Sequence, residues 1–276
     1  MTVMVPIRAG FTAAVFVSCF MPQARAQDAS PWQQDGHSAV RLLAGSRSGL
    51  VLLGGIAFQI QPGWHTYWRN PGDSGVPPRF DFTKSENIEA VTILWPAPTK
   101  FADGAGGISI GYQKQVVLPL RIVAKNADKP VTLRADINYA VCEKLCIPVE
   151  AKAELAFSSV ASTQDSALFA ALDAVPKPAT IGDPNPLTIR DVKRDGKAGV
   201  IVDVATPDAN EVTLFVEGPT PDWALPVPKL VDSPPGVKRF AFDLDGLPPG
   251  AHPEGAALKL TLVGGERSYE FNVNLN

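Results

Sequence analysis

Short runs of alternating apolar and polar residues, separated by Gly and Pro, set the main constraint on how this chain folds. Its 276 residues include 23 Gly and 26 Pro, which leave little room for long helices because Pro lacks a backbone donor. An alternation with a period of two is typical of strands that bury one face. The sequence therefore predicts strands at residues 39–43, 49–61, 91–95, 116–123, 131–140 and 149–158, and then at 187–193, 199–205, 211–217, 239–244, 258–263 and 269–275.

A short helical segment and a Pro-rich stretch separate these two groups of strands. Residues 165–174 are Ala-rich and predict the one helix, with Ser162 or Thr163 as its N-cap. The stretch that follows ends at residue 186 and predicts a stiff connection, since Pro blocks helix continuation. We therefore predict an all-β chain of two antiparallel β-sandwich domains, residues 27–160 and 187–276, joined by a helix and linker at 161–186.

The first 26 residues have the three parts of a secretory signal. Arg8 supplies the positive start, residues 9–21 are apolar, and a small-x-small run ends at Ala26. We expect cleavage near Ala26 and export to an oxidising compartment, where disulfides persist. An uncleaved anchor, or a lipoprotein signal that uses Cys19, is the alternative interpretation.

Charge and hydropathy exclude several function classes. The chain has 25 Lys and Arg against 28 Asp and Glu, and removal of the signal leaves 23 against 28, a net charge of −5. No basic stripe is present, so we do not expect nucleic acid as a partner. No later segment is apolar enough for a membrane span, and we expect no cofactor. Residues 187–276 contain no cysteine and one histidine, His252, so we expect a structural or docking role for them.

Cys142 and Cys146 are the two cysteines that remain after cleavage. They lie between the predicted strands 131–140 and 149–158, so residues 142–148 predict a hairpin turn with one cysteine on each side. A hairpin brings such positions to a separation that a disulfide can bridge. Pro148 stands where the second strand is predicted to begin, a position that Pro tolerates.

Three uses of this pair are open from the spacing alone. A structural disulfide would stabilise the fold little, because the loop that it closes is very short. A redox pair would alternate between dithiol and disulfide, as accessible bridges do. A metal site is the third use, in which Cys142 and Cys146 with His65 would hold a soft ion such as Cu(I).

Three segments carry a resemblance to a known family. Residues 63–75, residues 95–98 leading to 111–112, and residues 139–150 resemble the N-terminal periplasmic domain of the DsbD and ScsB thiol:disulfide interchange group. The likeness covers a little under half of the chain and is closer to the ScsB branch, which is linked to copper tolerance. Within these 276 residues we expect neither the membrane-spanning nor the thioredoxin-like domain of the full-length members.

The resemblance implies an immunoglobulin-like sandwich in which Cys142 and Cys146 are the exchanging thiols of a protein-disulfide reductase component. Its partners would be thioredoxin-fold periplasmic proteins and a separate membrane electron transporter. A copper-binding module of a copper-tolerance system, or an adaptor with a structural disulfide, is the alternative function.

The resemblance and the local charges also indicate supporting residues. His65 is a candidate base that would favour thiolate formation if it lies near Cys142. Lys144 would favour the thiolate by its charge, while Glu143 would oppose it. Tyr139 belongs to the matching segment 139–150 and is taken as a further supporting residue.

Two aromatic features have alternative interpretations. In DsbD a cap loop with an aromatic residue shields the cysteines, and the matching stretch here, residues 101–107, is Gly-rich. Phe101 either serves as the cap or packs into the core as part of a flexible hairpin. Segment 63–75 is too polar and aromatic for an ordinary strand, and we expect Trp64 and Trp68 to fill the core rather than form an exposed platform.

Overall fold

The structure, a computed structural model, describes Met1 and residues 27–73, 75–102, 106–157, 161–196, 198–206 and 211–275. The predicted export signal at residues 2–26 lies outside these residues. The described part of the chain has nineteen strands and one nine-residue helix, which confirms the all-β prediction. No helix in it is long and apolar enough to cross a membrane.

Eleven strands form the first sandwich. They are β1 (Gln33–Asp35), β2 (Ser38–Ser48), β3 (Val51–Ile60), β4 (His65–Gly72), β5 (Arg79–Asp81), β6 (Ile88–Ile93), β7 (Thr99–Ala102), β8 (Ile108–Gln113), β9 (Gln115–Ala124), β10 (Val131–Cys142) and β11 (Cys146–Phe157). One sheet has the order β1-β2-β3-β9-β6, and the other has the order β11-β10-β4-β8-β7 with β5 paired to β10. All of these pairings are antiparallel.

The core of the first sandwich lies between its two sheets. Leu42, Ile56 and Leu120 from one sheet and Leu133 and Ile137 from the other are buried in one cluster. Strand β10 shows how the alternation builds this core, because its odd-numbered residues are buried there from Val131 to Val141. Its even-numbered residues therefore lie on the other face of the sheet.

Eight strands form the second part of the fold. They are β12 (Lys177–Ala179), β13 (Thr188–Asp195), β14 (Gly199–Ala205), β15 (Val212–Glu217), β16 (Lys229–Val231), β17 (Lys238–Asp243), β18 (Ala257–Gly264) and β19 (Arg267–Asn274). Two four-stranded sheets have the orders β12-β19-β18-β15 and β13-β14-β17-β16. The predicted second sandwich is therefore confirmed, and its pairings are antiparallel except for the parallel pair of β12 with β19.

The predicted connection contacts both sandwiches. Helix α1 (Asp165–Asp173) packs Leu168, which is fully buried, against the first sandwich, whereas β12 pairs with β19 of the second. The N-cap prediction was wrong, because Gln164 holds that position without a side-chain hydrogen bond. The hydroxyl of Ser162 instead accepts a hydrogen bond from the Gln164 backbone N–H at 3.0 Å.

Segment 63–75, which we did not expect to form an ordinary strand, contains β4 in the middle of the second sheet. Its polar side chains are tolerated because they reach the second sandwich. The Arg69 guanidinium donates to both carboxylate oxygens of Glu217 at 2.9 and 2.8 Å and to Glu270 Oε2 at 2.6 Å. The Asn70 side-chain amide donates to the Val216 carbonyl at 2.9 Å.

Aromatic packing continues this contact between the sandwiches. Trp68 is fully buried, and its ring centroid lies 5.7 Å from that of Phe215. Trp64 is half-buried, packs against the same core and stacks on His37 at 3.8 Å. The expectation that these tryptophans contribute to the core is therefore confirmed.

Candidate functional site

The hairpin of β10 and β11 carries both cysteines at its end. Cys142 lies directly opposite Cys146 in the ladder, and residues 143–145 alone form the turn. The predicted turn at 142–148 was too long, because ladder pairing continues up to the cysteines. Pro148 lies within β11 and is tolerated there because β11 is an edge strand.

A disulfide joins Cys142 to Cys146, with 4.1 Å between their Cα atoms. The two residues differ sharply in accessibility. Cys142 is buried at 2% exposure, whereas Cys146 is exposed. The expected accessibility of the bridge therefore holds for only one of its two residues, Cys146.

Tyr67 connects the disulfide to the neighbouring strand β4. Its hydroxyl donates to Cys142 Sγ at 3.1 Å and lies 3.3 Å from Cys146 Sγ. The ring is buried and packs closely on Gly75, where a Cβ atom would lie 2.6 Å from two ring carbons. The absence of a side chain at Gly75 therefore allows the chain to cover Tyr67.

The sequence analysis did not place Tyr67 in the site. The signal was present, because Tyr67 lies two residues after His65 and such residues share one face of a strand. Because the sequence analysis did not predict a strand at β4, it did not place His65 and Tyr67 on one face.

His65 lies beside the disulfide, as the sequence analysis suggested. It is directly opposite Cys142 in the ladder of β4 and β10, so both side chains project from the same face. Its ring meets Tyr67 edge-on, with 5.3 Å between the centroids. Burial lowers the pKa of His65, so the ring is neutral at pH 7.

Phe101 completes this row of aromatic rings. It lies in β7 rather than in a flexible loop, and its half-buried ring is 4.5 Å from His65 in an edge-on arrangement. This contact places Phe101 on the same face of the sheet as the cysteines instead of in the core. Residues 103–105 of the predicted cap stretch lie outside the described residues.

The remaining predicted residues have different surroundings. Glu143 and Lys144 are exposed on the turn between the two cysteines. Tyr139 points into the core, where its hydroxyl lies 2.8 Å from that of Ser38 and burial raises the pKa of the phenol. The structure thus brings His65 to the cysteines directly and Phe101 through His65, but it does not bring Tyr139 there.

A metal centre has little support in this arrangement. Both cysteine sulfurs are joined to each other, and no group of three or more His, Cys, Asp or Glu side chains suited to a metal ion occurs in the described ranges. The chemistry that these residues can support is thiol–disulfide exchange, since a sulfur–sulfur bond is open to attack at one sulfur.

Comparisons with known proteins agree with this chemistry. Residues 49–158 match the family model described as thiol:disulfide interchange protein DsbD, N-terminal. The crystal structure of the N-terminal periplasmic domain of ScsB from Proteus mirabilis is similar to this chain with a TM-score of 0.74 and 21% sequence identity. That match covers 91% of this chain and 99% of the ScsB domain. The resemblance predicted from the sequence is confirmed.

Two further solved structures are similar only weakly. The GAE domain of yeast GGA1 has a TM-score of 0.24 at 13% identity, covering 46% of this chain and 97% of that chain. A conserved domain protein from Bacillus anthracis has a TM-score of 0.23 at 9% identity, covering 86% and 76%. Both TM-scores are too low to support an argument. No curated protein sequence matches this chain.

Proposed function

We propose that this chain, whose residues 49–158 form a domain of the DsbD N-terminal family, is a periplasmic thiol–disulfide exchange protein. It would relay reducing equivalents through Cys142 and Cys146 to and from thioredoxin-fold partners. The observation that carries the proposal is the asymmetry of the bridge: Cys146 is an exposed residue, whereas Cys142 is buried and its sulfur accepts a hydrogen bond from Tyr67.

Reduction of the bridge begins at its exposed sulfur. A thiolate of the partner attacks Cys146 Sγ, the bond to Cys142 breaks, and Cys142 leaves as a thiolate. The Tyr67 hydroxyl stabilises that thiolate by donating to it, which makes Cys142 the better leaving group. A second thiol of the partner then attacks the mixed disulfide and releases Cys146. Two electrons have passed from the partner, which is now a disulfide, to this chain.

The reverse sequence delivers the electrons. Cys146, as a thiolate, attacks a disulfide of an oxidised partner and forms a mixed disulfide with it. Cys142 then attacks Cys146 Sγ, which closes the bridge and releases the partner as a dithiol. Burial keeps Cys142 from attacking other proteins directly and limits it to this resolving step.

The supporting residues act on this cycle without exchanging electrons. His65 holds the Tyr67 ring in place as a neutral group, since burial lowers its pKa. Glu143 and Lys144 have opposite charges on the same turn, so the turn adds no net charge beside the sulfurs. In this proposal a membrane electron transporter is one class of electron donor that fits.

Trapping of mixed disulfides tests the proposal. Cys142→Ser leaves the exposed residue Cys146. Its thiolate should displace thionitrobenzoate from the remaining cysteine of a thioredoxin-fold protein that lacks its own resolving cysteine and was first loaded with this leaving group, which gives a stable adduct. Cys146→Ser leaves only the buried Cys142 and should trap at least tenfold less adduct under the same conditions.

Each outcome of the trapping experiment has a separate meaning. Equal trapping by the two variants would refute the assignment of Cys146 as the attacked residue. The absence of adducts with both variants would refute thiol exchange and favour a structural disulfide. The double variant Cys142→Ser/Cys146→Ser is the control for adducts that do not involve the pair.

A further inference from the structure

The turn next to the exposed sulfur presents an unusually exposed apolar side chain. Leu145 is 79% exposed, which is the largest value for a bulky hydrophobic residue in the described part of the chain after the terminal Met1. It directly precedes Cys146 at the tip of the hairpin. Single exposed apolar side chains are common on protein surfaces. Leu145 differs from these because it lies next to Cys146.

The geometry of a mixed disulfide places Leu145 against the partner. Two cysteines joined by a disulfide have Cα atoms roughly 4.4–6.8 Å apart. Consecutive Cα atoms are about 3.8 Å apart, so Leu145 is nearer to Cys146 than the partner's own cysteine is. A protein that forms a bond to Cys146 Sγ therefore brings its surface to the hairpin tip on which Leu145 is exposed.

We propose that Leu145 is a docking residue, which inserts into an apolar surface beside the reactive cysteine of a thioredoxin-fold partner. This inference rests on the exchange function proposed above and specifies how a partner is recognised. Burial of a leucine side chain in an interface is favourable because it removes apolar area from water.

The surroundings of Leu145 favour an uncharged partner surface. Glu143 and Lys144, the other two residues of the turn, have charges that oppose each other. A second exposed apolar side chain, Val76 at 55%, follows Gly75, which packs on the ring of Tyr67. A partner with a charged surface around its cysteine would have to leave that charge facing these side chains, which is costly.

Recognition by Leu145 has a consequence for small thiols. Dithiothreitol can reach Cys146 Sγ without covering the turn, so it gains little from Leu145. A protein with two thiols covers the turn when it binds, so its binding includes the favourable free energy of burying the Leu145 side chain. Leu145 therefore raises the preference of the bridge for protein thiols over small thiols.

The experiment measures second-order rate constants for reduction of the Cys142–Cys146 bridge by reduced thioredoxin and by dithiothreitol. Acid quenching and alkylation of the released thiols give the rates. In Leu145→Ser the ratio of the thioredoxin rate to the dithiothreitol rate should fall about tenfold, because full burial of a leucine corresponds to at least that factor. Leu145→Met should keep most of the wild-type ratio.

Leu230→Ser is the matched control, since Leu230 is 60% exposed on β16 in the second sandwich. It should keep the wild-type ratio. An unchanged ratio in Leu145→Ser, or an equal fall in Leu230→Ser, would overturn the docking role and leave the exchange function standing. Failure of thioredoxin to reduce the wild-type bridge, while dithiothreitol reduces it, would overturn both.

Discussion

The two halves of strand β4 face different parts of the molecule. The Tyr67 hydroxyl contacts the disulfide of the first sandwich, and His65 lies opposite Cys142 with its ring edge-on to that of Tyr67. Trp68, Arg69 and Asn70 contact the second sandwich through a buried ring, a charge-paired guanidinium and an amide. One strand therefore supports a reactive bond and a fixed contact between sandwiches.

The two halves of β4 also differ in charge and burial. The carboxylates of Glu217 and Glu270 outweigh the effect of burial and raise the pKa of Arg69, so the guanidinium remains charged and paired. These ion pairs hold β4 to the second sandwich at Arg69, two residues after Tyr67. The disulfide end, in contrast, includes an exposed residue, Cys146. Variants at the two halves should consequently separate stability from thiol chemistry.

Removal of the buried ring should have the largest effect on stability. Trp68→Ala should lower the free energy of unfolding by about 3–5 kcal/mol, because it leaves a cavity where the ring meets Phe215. Urea denaturation followed by circular dichroism measures this change. Trp64→Ala, at a half-buried position, should cost less than half as much, and equal losses would contradict the different burial of the two rings.

Removal of the charge in the contact between sandwiches should have the next largest effect. Arg69→Met removes the ion-pair partner of half-buried Glu217 and leaves Glu270 with the longer Lys259 pair at 3.4 Å, so it should lower the free energy of unfolding by about 1.5–3 kcal/mol. The double variant Arg69→Met/Glu217→Gln should recover part of the loss, since one unpaired charge is then absent. If the double variant were less stable than the sum of both single changes predicts, the ion pair would not be the cause.

Loss of the hydroxyl next to the sulfurs should change thiol chemistry more than stability. In the reduced Cys146→Ser background, Tyr67→Phe should raise the pKa of the Cys142 thiol by about one unit, because a hydrogen bond to a charged group contributes roughly 1.5 kcal/mol. The pH dependence of alkylation by iodoacetamide measures it. Tyr112→Phe removes another buried hydroxyl, which donates to the Pro96 carbonyl, and should leave the thiol pKa as it was.

Protonation of the buried His65 imidazole should have the smallest effect on the free energy of unfolding. Burial lowers the pKa of folded His65 below about 6.5, its value in an unfolded chain. As the pH falls below about 6.5, the unfolded chain binds a proton that the folded chain does not, so the free energy of unfolding decreases. The decrease ends below the folded pKa, where both states are protonated. His65→Gln should remove this part of the pH dependence, and an unchanged slope in urea denaturation would contradict it.

Much of the fold could be predicted because most strands bury one face. Residues 199–205 alternate clearly, and the predicted strand matches β14 residue for residue. Strand β4 could not be predicted in this way. Its polar residues Arg69 and Asn70 are stabilised by groups almost 150 or more residues away, and no local pattern reveals such partners.

The site was predictable where its residues are close together in the sequence. Cys142 and Cys146 are close in the sequence, so their pairing follows from local hairpin geometry. The sequence predicted a loop at Phe101 because glycines follow shortly after it. Strand β7 nevertheless includes Phe101 and ends at Ala102. Tyr67 needed the recognition of β4 as a strand, and the boundaries between the predicted domains stay a prediction.

The reduction potential of the Cys142–Cys146 disulfide tests the central claim most directly. Equilibration of the protein with thioredoxin of known potential, followed by alkylation of the thiols, gives the value. If the protein exchanges electrons with thioredoxin-fold partners, the reduction potential of this disulfide should lie above about −300 mV. A potential below about −300 mV would contradict the account and identify the bridge as a structural one.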